Sequence, residues 1–265
     1  MADKISYLVV EGPHDVEFVA KFLKRGGFGR VKQIDDLNHS FERLVPRSFP
    51  YNGDLLKRVP VPTFFQKNGH AVAVHSASGI SNLVTVACDN LQVIGGAIHS
   101  FGFVLDQDDE GNATTRQAEL IAALVAAGST VCLPDNPGHV AVASGAPRTG
   151  AYILPDNVND GALENLLIPA GKAAYADIFT HAENYLNSVD VTKLGENDLK
   201  YFQKPSGRNK ALIASVGSIL RPGKAIQVTL QDNLWITDDS IRSIAGLTQF
   251  ADFLAELLED PRLAP

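Results

Sequence analysis

Continuous apolar runs, each followed by a turn and then by apolar positions at helical spacing, organise the first part of this chain. Residues 5–10 form such a run and end in Glu-Gly-Pro, after which Val16, Val19, Phe22 and Leu23 recur at the spacing of one helix face. The same order returns twice. Residues 71–75 lead through Ser-Ala-Ser-Gly into helical spacing over 80–89, and residues 101–105 lead through an acidic turn into 114–127, with Gly128 placed to stop the helix. Residues 130–133 and 151–154 read as further strands. Strands that are apolar throughout imply burial on both faces, and their alternation with helices predicts an α/β fold: a Rossmann-like parallel sheet flanked by helices.

Residues 35–69 break this rhythm with Pro46, Pro50, Pro60 and Pro62 among Phe41, Phe49, Tyr51, Phe64 and Phe65, which reads as an excursion inserted on the core sheet. Basic residues between those aromatics would suit stacking and phosphate contacts with single-stranded nucleic acid, while the alternative, favoured here, packs the aromatics onto the domain. From residue 170 the pattern is mainly helical. It closes with a helix over 237–260 whose Phe250, Phe253, Leu254, Leu257 and Leu258 form one apolar stripe, read as core. The expected organisation is a core over 1–168, with the excursion at about 35–69, and a helical extension over 169–265 packed on it.

A chain of 265 residues can bury a substantial core. Its longest apolar runs, such as 120–127, fall short of the ~20 residues that cross a bilayer, and no signal peptide is read before the first strand, so a cytoplasmic protein without a membrane span is expected. Cys88 and Cys132 lie in apolar stretches and read as small buried hydrophobes, with no disulfide or structural zinc. The net charge of −7 argues against a protein that coats nucleic acid indiscriminately. It conceals two basic segments, however. Residues 22–67 hold nine Lys and Arg against four acids, and residues 199–231 hold Lys200, Lys204, Arg208, Lys210, Arg221 and Lys224 with no acid at all.

The acids gather where strands end. Glu11-Gly12-Pro13-His14-Asp15 follows the first run, Asp106-Gln107-Asp108-Asp109-Glu110 follows the third, and Asp160-Gly161-Ala162-Leu163-Glu164 follows 151–154 after a short loop. Parallel strands open their carboxyl ends to one side, so these segments should meet in space. Their mutual repulsion calls for a cation. Magnesium binds through one or two carboxylates plus substrate phosphate, and a pair of ions can stabilise both the attacking and the leaving oxygen of an in-line displacement.

In this order the segments resemble the signature of the TOPRIM superfamily, shared by topoisomerases, bacterial primases and several nucleases: Glu11-Gly-Pro-His-Asp15, then Asp106-Gln-Asp108. Asp160-Gly-Ala-Leu-Glu164 further resembles the Gly-x-Leu-Glu element of stand-alone TOPRIM proteins and of the overcoming-lysogenization-defect nucleases. The resemblance spans roughly residues 4–168 and implies a metal-dependent nuclease with one or two Mg2+ or Mn2+ ions. It implies Asp15, Asp106, Asp108 and Glu164 as metal ligands, with Glu11 completing the coordination or taking a proton from water. A downstream lysine near the scissile phosphate is also implied; Lys210 is the candidate and Lys204 its substitute, with Lys204 and Arg208 contacting nucleic acid. DNA or RNA is the implied substrate, and a prokaryotic defence or processing system the setting. No Gly-x-x-x-x-Gly-Lys-Ser/Thr loop occurs, so any energy coupling would need an ATPase or other partner protein, and homo-oligomerisation stays open.

Other chemistry competes for the same residues. A catalytically silent TOPRIM-like subunit that binds metal or nucleic acid would carry the same acids. A haloacid-dehalogenase-like phosphatase would use Asp106 as nucleophile and Asp108 as acid, but leaves Glu11 and Glu164 idle. The start of a calcium-binding EF-hand loop is matched from Asp106 to Gly111, yet its twelfth position is Gln117 and a strand precedes it. His14 reads as a solvent-facing residue of the first helical turn, Ser78 as a helix cap, His70, His75 and His99 as structural, and Trp235 as packed.

Overall fold

The computed structural model describes residues 4–48, 61–95, 97–108 and 111–265. The chain runs β1 (Lys4–Val10), α1 (Pro13–Arg25), β2 (Gly29–Arg30), β3 (Thr63–Lys67), β4 (His70–Ser76), α2 (Leu83–Leu91), β5 (Ile98–Asp106), α3 (Ala113–Ala126), β6 (Val140–Ala141) and β7 (Arg148–Leu154). Helices then follow without further strands: α4 (Glu164–Ala174), α5 (Ala176–Ser188), α6 (Glu196–Phe202), α7 (Gly207–Leu220), α8 (Ile226–Asp232), α9 (Asp238–Ser243) and α10 (Ala245–Leu258). The sheet order is β2-β3-β4-β1-β5-β7-β6. Its centre, β4-β1-β5-β7, is parallel, and the flanking strands β2 and β3 on one side and β6 on the other are antiparallel to their neighbours. The protein is thus α/β with a mixed seven-stranded sheet flanked by helices.

Strand alternation sorts the apolar residues into two layers. Leu8, Val10, Val72, Val74, Val104, Tyr152 and Leu154 pack under α1 and the C-terminal helices, while Ile5, Tyr7, Val9, Phe101, Phe103, Leu105 and Ile153 pack under α2 and α3. The stripe on α10 is core: Phe250, Phe253, Leu254, Leu257 and Leu258 are all buried against the first face. The helices after residue 170 therefore share one core with the sheet. Their close approach depends on two glycines paired across β5 and β7, Gly102 and Gly150. A Cβ on Gly102 would stand 2.7 Å from Leu257 and one on Gly150 2.9 Å from Phe253. Gly102→Val is accordingly expected to destabilise the fold by about 1–3 kcal/mol through overpacking, read as a lower urea midpoint with unchanged slope.

Several expectations need correction. Residues 130–133 are not a strand. Only Val131 and Leu133 pack on the core, and the segment is held by side chains instead of a ladder, with Thr149 Oγ1 donating to the Cys132 carbonyl and Gln117 Nε2 donating to that of Pro134. The place beside β7 is taken by β6. Cys132 is exposed because its segment never enters the sheet, and Cys88, on α2, is half-buried. The excursion returns to the sheet as β3, whose Phe64 and Phe65 are buried with Phe41, so these rings pack and offer no stacking surface. Phe49, Pro50, Tyr51 and Pro60 lie outside the described residues. The closing helix is two, broken at Ile244, whose extended backbone (φ −107°, ψ 111°) starts α10 afresh. Likewise α2 is preceded by a 3-10 turn at Ile80–Asn82, and Ser78 caps nothing: it takes φ 59° in the turn whose Gly79 N–H donates to the Glu11 carbonyl. His70 and His75 are buried in hydrogen bonds to Ser6 and Tyr7, and Trp235 is fully buried, as read from the sequence. No helix among the described residues is long and apolar enough to cross a membrane.

Candidate functional site

At the carboxyl edge of the parallel strands the chain reverses direction around β1. The connection through α1 leads to β4 on one side, and the connection from β4 through α2 leads to β5 on the other. Such a reversal opens a crevice at the strand ends, where α/β proteins place their ligands. Glu11 lies immediately after β1, Asp15 in the first turn of α1, Asp106 at the last position of β5, and Glu164 at the first position of α4. Each position follows from local chemistry: Pro13 opens α1 with its fixed φ, and Asp15 Oδ2 accepts the Gly12 N–H at 2.7 Å as an N-terminal cap would. Asp106 Oδ1 accepts the Leu163 N–H at 2.9 Å, which ties the end of β5 to the start of α4. The following turn is pinned from the same side. Asp108 takes φ 55°, and its backbone exchanges hydrogen bonds of 2.9 and 3.2 Å with Gly161. The Asp160-Gly-Ala-Leu-Glu segment thus meets the Asp-x-Asp segment across a short bridge, while the Asp160 side chain itself faces solvent.

The electrostatics of these acids are those of crowded, buried anions. Asp15 and Glu164 are each 6% exposed. Burial, reinforced by Glu11 and Glu164, pushes Asp15 up to about 7 against the relief of the Gly12 N–H. Burial and then the charges of Asp15, Glu11 and Glu164 hold Asp106 well above the usual carboxylate range. Glu11 is raised by burial and by Asp108, and Glu164 by burial and by Asp108. Lys210, on the first turn of α7, pulls Glu11, Asp15 and Glu164 back down, so the extension supplies a cation to this site, and Arg116 of α3 lowers Glu11 as well. Burial, and then the same lysine, lower His14, which is half-buried and not solvent-facing as its sequence position suggested. Lys204 and Arg208 are engaged elsewhere, Lys204 over the exposed Tyr201 ring at 4.9 Å and Arg208 with the Asn187 side-chain oxygen.

Whether these residues suit a divalent cation can be tested on their oxygens. One oxygen of Glu11 and one of Glu164 are buried without any hydrogen-bond partner, a costly state for a carboxylate. Among the described residues, no three His, Cys, Asp or Glu side chains form a ready cage. Asp15 and Asp106 each place one oxygen on a backbone N–H and keep the other. A cation that takes one or two carboxylates and keeps its water, as magnesium and manganese do, fits this donor set; a calcium site needing six to eight oxygens does not. The EF-hand alternative falls with it, because Asp106 closes a parallel strand.

Sequence patterns missed Arg116, whose Nη2 donates to the Gln107 carbonyl at 3.1 Å and stands 3.9 Å from Asp108 Oδ2. The signal was its place in the first turn of a helix after the acidic turn, since helical side chains point back toward the N-terminus. Arg116 also walls a cleft of about 200 Å3 between the 3-10 turn, α2 and α3, which begins at Leu105.

Comparison with known proteins adds little chemistry. No curated protein matches the chain. Among solved structures, the hypothetical protein PH0156 from Pyrococcus horikoshii OT3 is similar at 16% identity and a TM-score of 0.47, with 98% of each chain covered. The sequence profile of one family, described as protein of unknown function (DUF3226), matches residues 5–259, and the chain belongs to that family.

Proposed function

We propose that this protein is a divalent-metal-dependent phosphodiester hydrolase of TOPRIM type, acting on DNA or RNA. The observation that carries the proposal is the meeting of Glu11, Asp15, Asp106 and Glu164 at one strand edge, as buried acids that resist ionisation and leave two oxygens unpartnered. Acids so arranged are costly to the fold, and perturbed groups of this kind concentrate at working sites. We place the reaction in the cytoplasm, with a defence or nucleic-acid-processing role and an ATPase or other partner protein following from the TOPRIM resemblance alone.

Asp106, Asp108, Glu164 and Asp15 would hold Mg2+ or Mn2+, one ion or two. When bound, such an ion supplies Lewis-acid charge to the phosphate and eases deprotonation of water. Glu11, raised by burial and by Asp108, is suited to accept the proton from the attacking water. Lys210 faces the same acids and would stabilise the charge that grows on the phosphate. Lys204 beside Tyr201, with Arg208, would steer the strand on the outer face of α6 and α7. A haloacid-dehalogenase-type phosphatase would instead use Asp106 as nucleophile and Asp108 as acid, and would leave idle Glu11 and Glu164, each of which buries an oxygen without a partner beside them.

The test is cleavage of labelled single- and double-stranded DNA and RNA by the purified protein with Mg2+, Mn2+ or EDTA, wild type beside Asp106→Ala. Metal-dependent cutting that the variant loses is the expected result. Metal binding without cutting of any substrate would favour a silent binding subunit.

A further inference from the structure

Asp108 adopts a left-handed backbone with a non-glycine side chain, a conformation that persists only when its surroundings hold it. Two of those surroundings are backbone: the paired hydrogen bonds to Gly161, and the Gln107 N–H donating to the Leu154 carbonyl at 3.0 Å. The third is a side chain. Arg116 sits one helical turn into α3, where its own N–H bonds the Asn112 carbonyl at 3.0 Å. From there Nη2 reaches the Gln107 carbonyl at 3.1 Å with Asp108 Oδ2 at 3.9 Å, and Nη1 donates to Glu119 at 3.4 Å. The Arg116 side chain is 20% exposed, so its geometry is set by packing. The residue between the two acids is thus fastened from both sides, by β7 at its N–H and by Arg116 at its carbonyl.

We infer that Arg116 is the positioning residue of this site, clamping the Asp106–Asp108 turn so that both carboxylates face the cation; the inference rests on the proposed metal-dependent function. Arg116 would act through the turn and touch neither cation nor substrate. Its role separates cleanly from that of a simple countercharge, because the two have opposite signs. A positive charge near carboxylates opposes cation binding, so its loss alone would tighten binding, whereas loss of a clamp loosens it. A guanidinium fork is also not replaced by an ammonium, which cannot hold the Gln107 carbonyl and Glu119 from two nitrogens fixed in one plane.

The experiment is calorimetric titration of Mn2+ into the full chain, for wild type, Arg116→Gln and Arg116→Lys, with amide hydrogen exchange read at Asp108 and Gly161. A clamp predicts Mn2+ binding about 10-fold weaker in both variants, the scale on which residues behind metal ligands act, and faster exchange at both amides. Tighter binding in Arg116→Gln with wild-type binding in Arg116→Lys would overturn the inference in favour of a countercharge. Unchanged binding and exchange in both would overturn it outright. Should Arg116→Gln fail to fold, the Lys variant alone decides. Absence of Mn2+ binding by the wild type would sink the metal-dependent function itself, and the wild-type titration alone identifies that outcome.

Discussion

Asp106→Asn is expected to stabilise the metal-free protein at pH 8 and to abolish its further stabilisation by Mg2+. Asp106 and Asp15 are held above their ordinary values by burial and by neighbouring acids, Asp106 by Asp15, Glu11 and Glu164, and Asp15, to about 7, by Glu11 and Glu164. Over the interval between the ordinary and raised values the folded state binds more protons than the unfolded chain, so stability falls as pH rises. The penalty is absent below about pH 4, where both states are protonated, and full once pH exceeds the raised values. Asparagine keeps an oxygen for the Leu163 N–H while removing one charge from the cluster. The gain at pH 8 should be on the order of 1–3 kcal/mol, the scale of a poorly compensated buried polar group, read as a rise of several degrees in Tm, and should vanish at pH 4. Wild type should recover the same stability on adding Mg2+, since a ligand bound only by the folded state stabilises it. Thermal melts at pH 4 and pH 8, with and without Mg2+, check all four corners.

Lys210→Met is expected to slow cleavage by about 100- to 1000-fold, the cost of losing one charge-stabilising group at a phosphate. The same change should not weaken Mn2+ binding, since Lys210 competes with a cation for the anions it faces. Its loss also has a defined pH signature. Lys210 lowers Glu11, Asp15 and Glu164, so without it those acids ionise at higher pH and the rising limb of the pH–rate profile moves upward. A Lys204→Met variant should raise KM with little effect on kcat, because Lys204 lies over Tyr201 and enters none of the carboxylate electrostatics. Single-turnover and steady-state rates across pH 5.5–9 separate the two.

The parallel centre of the fold was legible because β1, β4, β5 and β7 are apolar on both faces, which no other element type explains at that length. The same rule misled at 130–133, where four residues of strand-like composition stay outside the sheet because β6 already flanks β7. Whether an edge position is taken depends on distant chain, which local patterning does not carry. β3 was hidden for a related reason: its two phenylalanines sit among prolines, and only pairing with β4 makes them a strand. Within the site, Glu11, Asp15, Asp106 and Glu164 could be placed because each borders an element boundary visible in the pattern. Arg116, half-buried His14 and the bridge between Asp108 and Gly161 could not, because they depend on side-chain direction and backbone pairing across segments far apart in sequence.

The central claim is that the acids at the strand edge exist to hold a divalent cation. Calorimetric titration of Mn2+ into wild type and Asp106→Asn at pH 8 tests it most directly. Saturable binding by wild type, accompanied by proton release as the raised carboxylates ionise, and lost or at least about 10-fold weaker in the variant, is the result predicted. Equal binding by both proteins, or none by wild type, would contradict it.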